Sequence, residues 1–199
     1  MKKIVTISRS FSSGGREVGK RLAQELGFAY YDKQLLKEIS NETGFTSEYI
    51  EKYGESAAYT SYPITIAQTF ITPFQMPNES IQIAQTKIVR EIGDKGDCVI
   101  IGRRGDRILK DKENLLKVFI YSSDMDERIK RCYDKSPDDK DKSPEFIKKK
   151  IISIDKDRAK YYRFYSDQNW GEMNNYNLFI DTSKISIKKA VQMIILAMD

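Results

Sequence analysis

The chain has 199 residues, 40% of them hydrophobic and 32% charged, a balance that excludes a membrane-embedded or disordered chain and is long enough to bury a sizeable core. Lys and Arg number 34 against 29 Asp and Glu, and the net charge of +5 suits a polyanionic ligand without separating nucleotide, nucleic acid and plain solvated surface. There is no histidine, and Cys98 and Cys132 are the only cysteines, which removes Ser–His and Cys–His nucleophiles, histidine-held metals, zinc clusters and disulfide frameworks. Lys2 and Lys3 precede an apolar run too short for a signal peptide, and no stretch approaches the ~18 apolar residues of a membrane span. A cytoplasmic location is the expectation.

Ile4-Val5-Thr6-Ile7 is a short β-branched run typical of a buried strand. A Ser/Gly loop follows, and then a helical pattern on Val18, Leu22, Ala23 and Leu26 that Gly27 stops. Phe28 to Tyr31 reads as a second strand, with helices over Lys33 to Ser40 and Ser47 to Tyr53. Residues 56 to 78 are small, aromatic and broken by Pro63, Pro73 and Pro77. Asn78 is expected to cap the next helix, which carries Ile81, Ala84, Ile88, Val89 and Ile92. Cys98 to Ile101 is a buried strand ending at Gly102-Arg103-Arg104-Gly105. Leu115 to Tyr121 is another strand, with Ser122 or Ser123 capping a helix over Asp124 to Tyr133. Residues 134 to 143 are almost pure charge and predict a solvated loop or lid. Pro144, after a capping Ser143, opens a long helix to about Gln168, and a strand over Tyr176 to Asp181 and a helix over Ser186 to Met198 close the chain. Strands alternate with helices and the central strands are continuously apolar, which predicts an α/β fold on a parallel sheet covered on both faces.

A glycine-rich turn between a first strand and a first helix is where such folds bind phosphate, through free backbone N–H groups and the helix dipole. Gly14 to Lys20 matches G-x-x-x-x-G-K, but that register would place its second half inside the Val18/Leu22/Leu26 periodicity. The better register takes Ser8 to Arg16 as the loop, with Arg16 at the helix start in place of the usual lysine, unless it is merely a solvated arginine on a capped turn.

Residues 7 to 19, Ile-Ser-Arg-Ser-Phe-Ser-Ser-Gly-Gly-Arg-Glu-Val-Gly, followed by Tyr30-Tyr31-Asp32-Lys33, resemble the cytidylate kinase-like family of P-loop kinases. Three later segments are similar too: Val99 to Asp106, Asp155 to Arg158 with Tyr161 and Tyr162, and Trp170-Gly171 with Asn175-Tyr176. The resemblance implies a three-layer fold with a five-stranded parallel sheet in the order 2-3-1-4-5. It implies an NMP-binding insertion over residues 33–95, a lid over 134–143, and in-line transfer of the ATP γ-phosphoryl group to CMP or a similar acceptor with Mg²⁺. Under it, Ser12, Ser13, Gly14, Gly15 and Arg16 hold the ATP phosphates, Arg103 contacts the substrate phosphate, and small nucleotides are the partners.

Asp32 either orients substrate or caps the following helix, and Asp106 either reaches the nucleoside or caps. Arg128 and Arg131, three apart on one helix face, suit a phosphate clamp, with a surface salt-bridged to Asp124 and Glu127 as the rival. Arg158 and Arg163 lie about 140° apart on a regular helix and cannot address one phosphate unless the helix bends or ends between them; Arg158, oriented by Asp155, is favoured for catalysis, and Arg163 falls to the substrate side. Tyr161, Tyr162, Phe164 and Tyr165 read as packing rather than base stacking. Two departures from an ordinary ATP-dependent kinase stand out. Glu17 follows Arg16 where a Ser or Thr would bind Mg²⁺, and Ile100-Ile101-Gly102 lacks the usual strand-end acid, so the metal ligands stay open among Ser8, Ser10, Ser12, Ser13, Glu17 and Asp32. A catalytically altered nucleotide-binding module is therefore a second reading. Nucleic-acid binding is a third, resting on Lys148 to Lys150, whose charge is balanced by Asp138, Asp139, Asp141 and Glu145.

Overall fold

The fold was described from a computed structural model covering residues 2–53 and 77–198. Strands β1 (Ile4–Arg9), β2 (Ala29–Tyr31), β3 (Cys98–Ile101), β4 (Leu115–Tyr121) and β5 (Leu178–Asp181) form one wholly parallel sheet in the order β2-β3-β1-β4-β5. Helices α1 (Gly15–Leu26), α2 (Lys33–Thr43), α3 (Ser47–Tyr53), α4 (Pro77–Lys95), α5 (Gly105–Ile108), α6 (Met125–Lys135), α7 (Pro144–Ser166) and α8 (Ile187–Leu196) complete the described elements. The central strand β1 explains the layering. Its side chains alternate, so Val5 and Ile7 pack with Val18 and Leu22 of α1 and Val191 and Ile194 of α8, while Ile4 packs with Leu35 and Ile39 of α2 and Ile88 and Ile92 of α4. Both faces of the sheet are thus dry, as the unbroken apolar strands require. A third cluster, Ile129, Cys132, Ile147 and Ile151, joins α6 to α7.

Local chemistry sets most element ends. Gly27 and Gly44 close α1 and α2 in left-handed conformation, at φ 69° and 74°. Ser143 caps α7 by accepting from Phe146 N–H, and Ser186 caps α8 through Lys189 N–H. The cap of α6 differs from the sequence expectation. Asp124 fills it, its carboxylate accepting from Asp126 N–H at 2.9 Å and Glu127 N–H at 3.2 Å, because Ser123 is engaged with Ser183 at 2.9 Å. Helix α4 begins at Pro77, which puts Asn78 inside its first turn instead of at its cap. The charged segment 134–143 is not all solvated: a short turn over Pro137–Asp139 buries Asp139, whose two oxygens each accept from Lys150 of α7 at 2.7 Å. Cys98 and Cys132 are both buried and free. Among the described residues no helix is long and apolar enough to cross a membrane.

One acid lies deep in this framework. Asp106, in α5, is 2% exposed and accepts from the Tyr162 hydroxyl at 2.5 Å. Burial raises its carboxyl above the ordinary value, outweighing the lowering effect of the Tyr162 bond. Burial and the adjacent Asp106 charge raise the hydroxyls of Tyr162 and Tyr176 in turn.

Two predictions follow from the core. Ile120→Ala, at a position with no exposure, is expected to cost about 2–5 kcal/mol in urea unfolding, against under about 0.5 kcal/mol for Met173→Ala at 74% exposure. A folded-state carboxyl that resists ionising contributes stability below its unfolded value and loses it as pH rises. Asp106→Asn keeps an acceptor for Tyr162 and removes the charge, so its stability relative to the parent is expected to improve from pH 4 to pH 7; an unchanged difference would show that Asp106 titrates normally.

Candidate active site

Strand β1 ends at Arg9 and α1 begins at Gly15, so the intervening Ser10–Gly14 loop lies outside both elements. It is anchored by Ser10 N–H to the Ile120 carbonyl at 3.0 Å, by the Ser13 hydroxyl to the same carbonyl at 3.1 Å, and by the Thr182 hydroxyl to the Ser13 carbonyl at 2.6 Å. Ser12 and Gly14 adopt left-handed backbone, at φ 59° and 84°. The φ of Gly14 is one that side-chain-bearing residues rarely adopt, and a Cβ there would also crowd Ile187 at 2.8 Å and the Arg131 guanidinium at 3.0 Å, so the position favours glycine. The helix runs through Gly19, which rules out the Gly14-to-Lys20 register.

A cavity of about 580 Å³ opens over this loop, lined by Arg9 to Glu17 together with Lys20, Tyr30, Arg131, Cys132, Lys135, Ser136, Asp139 and Arg158. Its charged lining is mostly cationic, and the first-turn N–H groups of α1, which have no intrahelical acceptor, border it. Such a cradle attracts anions.

The expected site residues divide between this cavity and its supports. Ser12, Ser13, Gly14, Gly15, Arg16, Arg131 and Arg158 line it. Arg16 is half exposed and its Nε lies 3.0 Å from Asp32, whose carboxylate makes no capping bond to α2. Tyr30 sits beside this pair and donates to the Arg16 carbonyl at 3.3 Å; burial, reinforced by Asp32 and opposed by Arg16 and Arg9, pushes its hydroxyl up to about 12. Arg131 donates to the Ser12 carbonyl at 3.3 Å, and Arg158 donates to the Arg9 carbonyl at 3.1 Å and lies over the Phe11 ring.

Arg128 and Asp155 are brought together, but not in the cavity lining. Arg128 is 8% exposed and donates from Nε and Nη2 to the Phe11 carbonyl at 2.9 and 2.7 Å, while Asp155 accepts from the Phe11 N–H at 2.6 Å. The two side chains also form an ion pair. Arg163 lies on the exposed side of α7 and donates to Asn169 at 3.4 Å, so the continuous helix separates it from Arg158. Arg103 is buried just beyond β3, and both it and Arg104 adopt left-handed backbone. Such strain in non-glycine residues costs roughly 1–3 kcal/mol each and gathers at functional sites.

Sequence reasoning assigned no role to Arg104, Gln82 or Gln85, which form a buried polar cluster. Arg104 donates to Gln82 at 2.9 Å, to the Tyr161 hydroxyl at 3.2 Å and to the Tyr165 carbonyl at 3.1 Å, and stacks over the Tyr165 ring; Gln85 donates to the Arg103 carbonyl at 3.0 Å. The Gly-Arg-Arg-Gly turn was its only signal. Thr182 had none.

Mg²⁺, which phosphoryl transfer requires, can be tested against these donors. No group of three acidic or cysteine side chains able to hold a metal occurs among the described residues. Mg²⁺ commonly binds through one or two protein oxygens plus substrate phosphates, so this is no obstacle. The Ser12 and Ser13 hydroxyls are committed to carbonyls, and Ser8 does not line the cavity. The Ser10 hydroxyl lines it, buried and without a hydrogen-bond partner among the described residues, an oxygen that fits a metal–phosphate group.

A search of curated proteins finds no match. Among solved structures, an uncharacterized protein from Eubacterium ventriosum is 29% identical with a TM-score of 0.75, over 100% of this chain and 99% of that one. A shikimate kinase from Bacteroides thetaiotaomicron, at 14% identity and TM-score 0.60 over 99% and 98% of the two chains, has the same fold. A shikimate kinase from Acinetobacter baumannii in complex with shikimate is similar at 17% and 0.55, over 99% and 93%. The fold is that of the P-loop kinases. The model of the cytidylate kinase-like family matches residues 4–184, and the chain belongs to that family.

Proposed function

We propose that the protein is an ATP-dependent nucleoside monophosphate kinase-like phosphotransferase acting on CMP or a similar small phosphate acceptor. The observation that carries this reading is the cationic cavity of about 580 Å³ seated on the Ser10–Gly14 loop and the first turn of α1. The ATP polyphosphate lies along Ser12 to Arg16, with Arg131 and Arg158 over the transferring group. An acceptor phosphate oxygen attacks the γ-phosphorus in line; that P–O bond forms as the bond to the β–γ bridging oxygen breaks, and ADP leaves with the electron pair. The protein's part is positioning and positive charge, which is how a histidine-free chain serves this chemistry.

The Ser10 hydroxyl would supply a protein oxygen to a nucleotide-borne Mg²⁺, with Glu17 and Asp32 as carboxylates acting through water, and the ion would supply charge neutralisation of the phosphates. Arg103 and Asp32, at the carboxyl ends of β3 and β2, belong to the acceptor side, as ligands in open α/β sheets lie beyond those ends. Residues 33–95 serve as the acceptor-binding insertion and 134–143 as the lid. The stretch 56 to 78 expected to read the nucleobase lies largely outside the described residues. Two buried, free cysteines suit a reducing cytoplasm.

A second reading has its own support. Glu17 stands after Arg16 and pairs with Arg21 at 2.8 Å, and Arg16 itself is paired with Asp32. Both contacts fit a nucleotide-binding module with altered catalysis.

The deciding experiment is ADP release from Mg²⁺-ATP against CMP, dCMP, UMP, AMP and GMP. Turnover with one acceptor is expected, and Arg16→Ala is expected to lower kcat/KM by about a hundredfold to a thousandfold. ATP that raises the melting temperature without any ADP release would favour the binding module and overturn the kinase reading for these acceptors.

A further inference from the structure

We propose that Arg128 and Asp155 are positioning residues that clamp the main chain on both sides of Phe11 and so hold the phosphate-binding loop in its ligand-ready shape, rather than contacting phosphate or acceptor themselves; this rests on the reading of the cavity as the ATP site. The two ends of one ion pair grip the N–H and the carbonyl of one residue, Phe11, and so hold the two successive peptide units that flank it. Asp155 takes the Phe11 N–H at 2.6 Å, and Arg128 gives two bonds to the Phe11 carbonyl, at 2.9 and 2.7 Å. Neither side chain lines the cavity, whereas Arg131 and Arg158, from the same two helices, do. The Ser12 hydroxyl returns a bond to the Arg128 carbonyl at 2.8 Å, fixing the residue whose backbone is left-handed.

The geometry needs these residue types. A loop residue lacks sheet or helix partners, so its N–H and carbonyl must be satisfied by side chains or water. Only a guanidinium fork reaches the carbonyl twice and the carboxylate once; a lysine ammonium is a point charge. With the main chain held on both sides of Phe11, the N–H groups that follow it toward α1 keep the orientation an oxyanion requires. A loop free to rotate would have to be ordered by the nucleotide at the cost of affinity.

The test compares Arg128→Lys, Asp155→Asn and the double variant, at a temperature where circular dichroism shows each folded. Calorimetric titration with Mg²⁺-ATP is expected to show Kd rising roughly tenfold to a hundredfold in each single variant, since each loses hydrogen bonds to a charged group. The double variant should be little worse than either single one, because all three break the same unit. The KM of the acceptor should stay unchanged. The amide of Phe11, followed by NMR hydrogen exchange without nucleotide, should exchange at least about tenfold faster in Asp155→Asn. A rise in acceptor KM alone for Asp155→Asn, or a loss of ATP affinity for Arg128→Lys but not Asp155→Asn, would overturn the clamp in favour of direct ligand contacts. Lower melting temperatures with unchanged Kd would reduce the pair to ordinary stabilisation. If the parent protein binds no ATP, the reading of the cavity fails, and the Phe11 amide then reports on the clamp by itself.

Discussion

The peptide groups between the end of β1 and the start of α1 belong to no ladder, and much of the surrounding structure serves to satisfy them. Buried backbone donors and acceptors must be paired. Here the partners come from four directions: the Ile120 carbonyl of β4, Thr182 beyond β5, Arg128 and Arg131 of α6, and Asp155 and Arg158 of α7. A loop held this way presents an N-terminal helix turn to a cavity without disorder, which suits it to an anion.

Charge follows the same logic. The +5 of the chain is not spread evenly over its surface, since several arginines are drawn inward around the loop ends and the β3 turn. Arg103 and Arg104 turn the chain in two consecutive left-handed residues. Arg104 is stabilised by a polar cluster that ties the turn after β3 to α4 and α7. Buried guanidinium groups are tolerable only where their donors find fixed acceptors, and tyrosine and glutamine supply these with little flexibility.

The sheet was legible because its strands are short apolar runs separated by helical periodicity, and the order of the strands came from the family resemblance. The loop register was legible too, since the Val18/Leu22 stripe left room for only one helix start. Side-chain roles were less so. Arg128, Asp155 and Thr182 meet loop residues 117 to 169 positions away, a separation no local pattern encodes. Asp139 looked like one more charge in a solvated run, but its burial depends on Lys150 arriving from the next helix. The Asp124 cap was missed because three consecutive residues, Ser122, Ser123 and Asp124, all suit that position.

The distance in sequence between Phe11 and Asp155 also has a temporal consequence. The carboxylate that takes the Phe11 N–H lies 144 positions after it, so it is made well after the loop. At synthesis rates of about 5–20 residues per second, the loop waits roughly seven to thirty seconds on the ribosome before its partner is made. β1 waits as well, for β3 and β4, since a parallel strand has no neighbour close in sequence. A nascent chain therefore carries an apolar strand and an unclamped loop until β3, β4 and then α7 have been made.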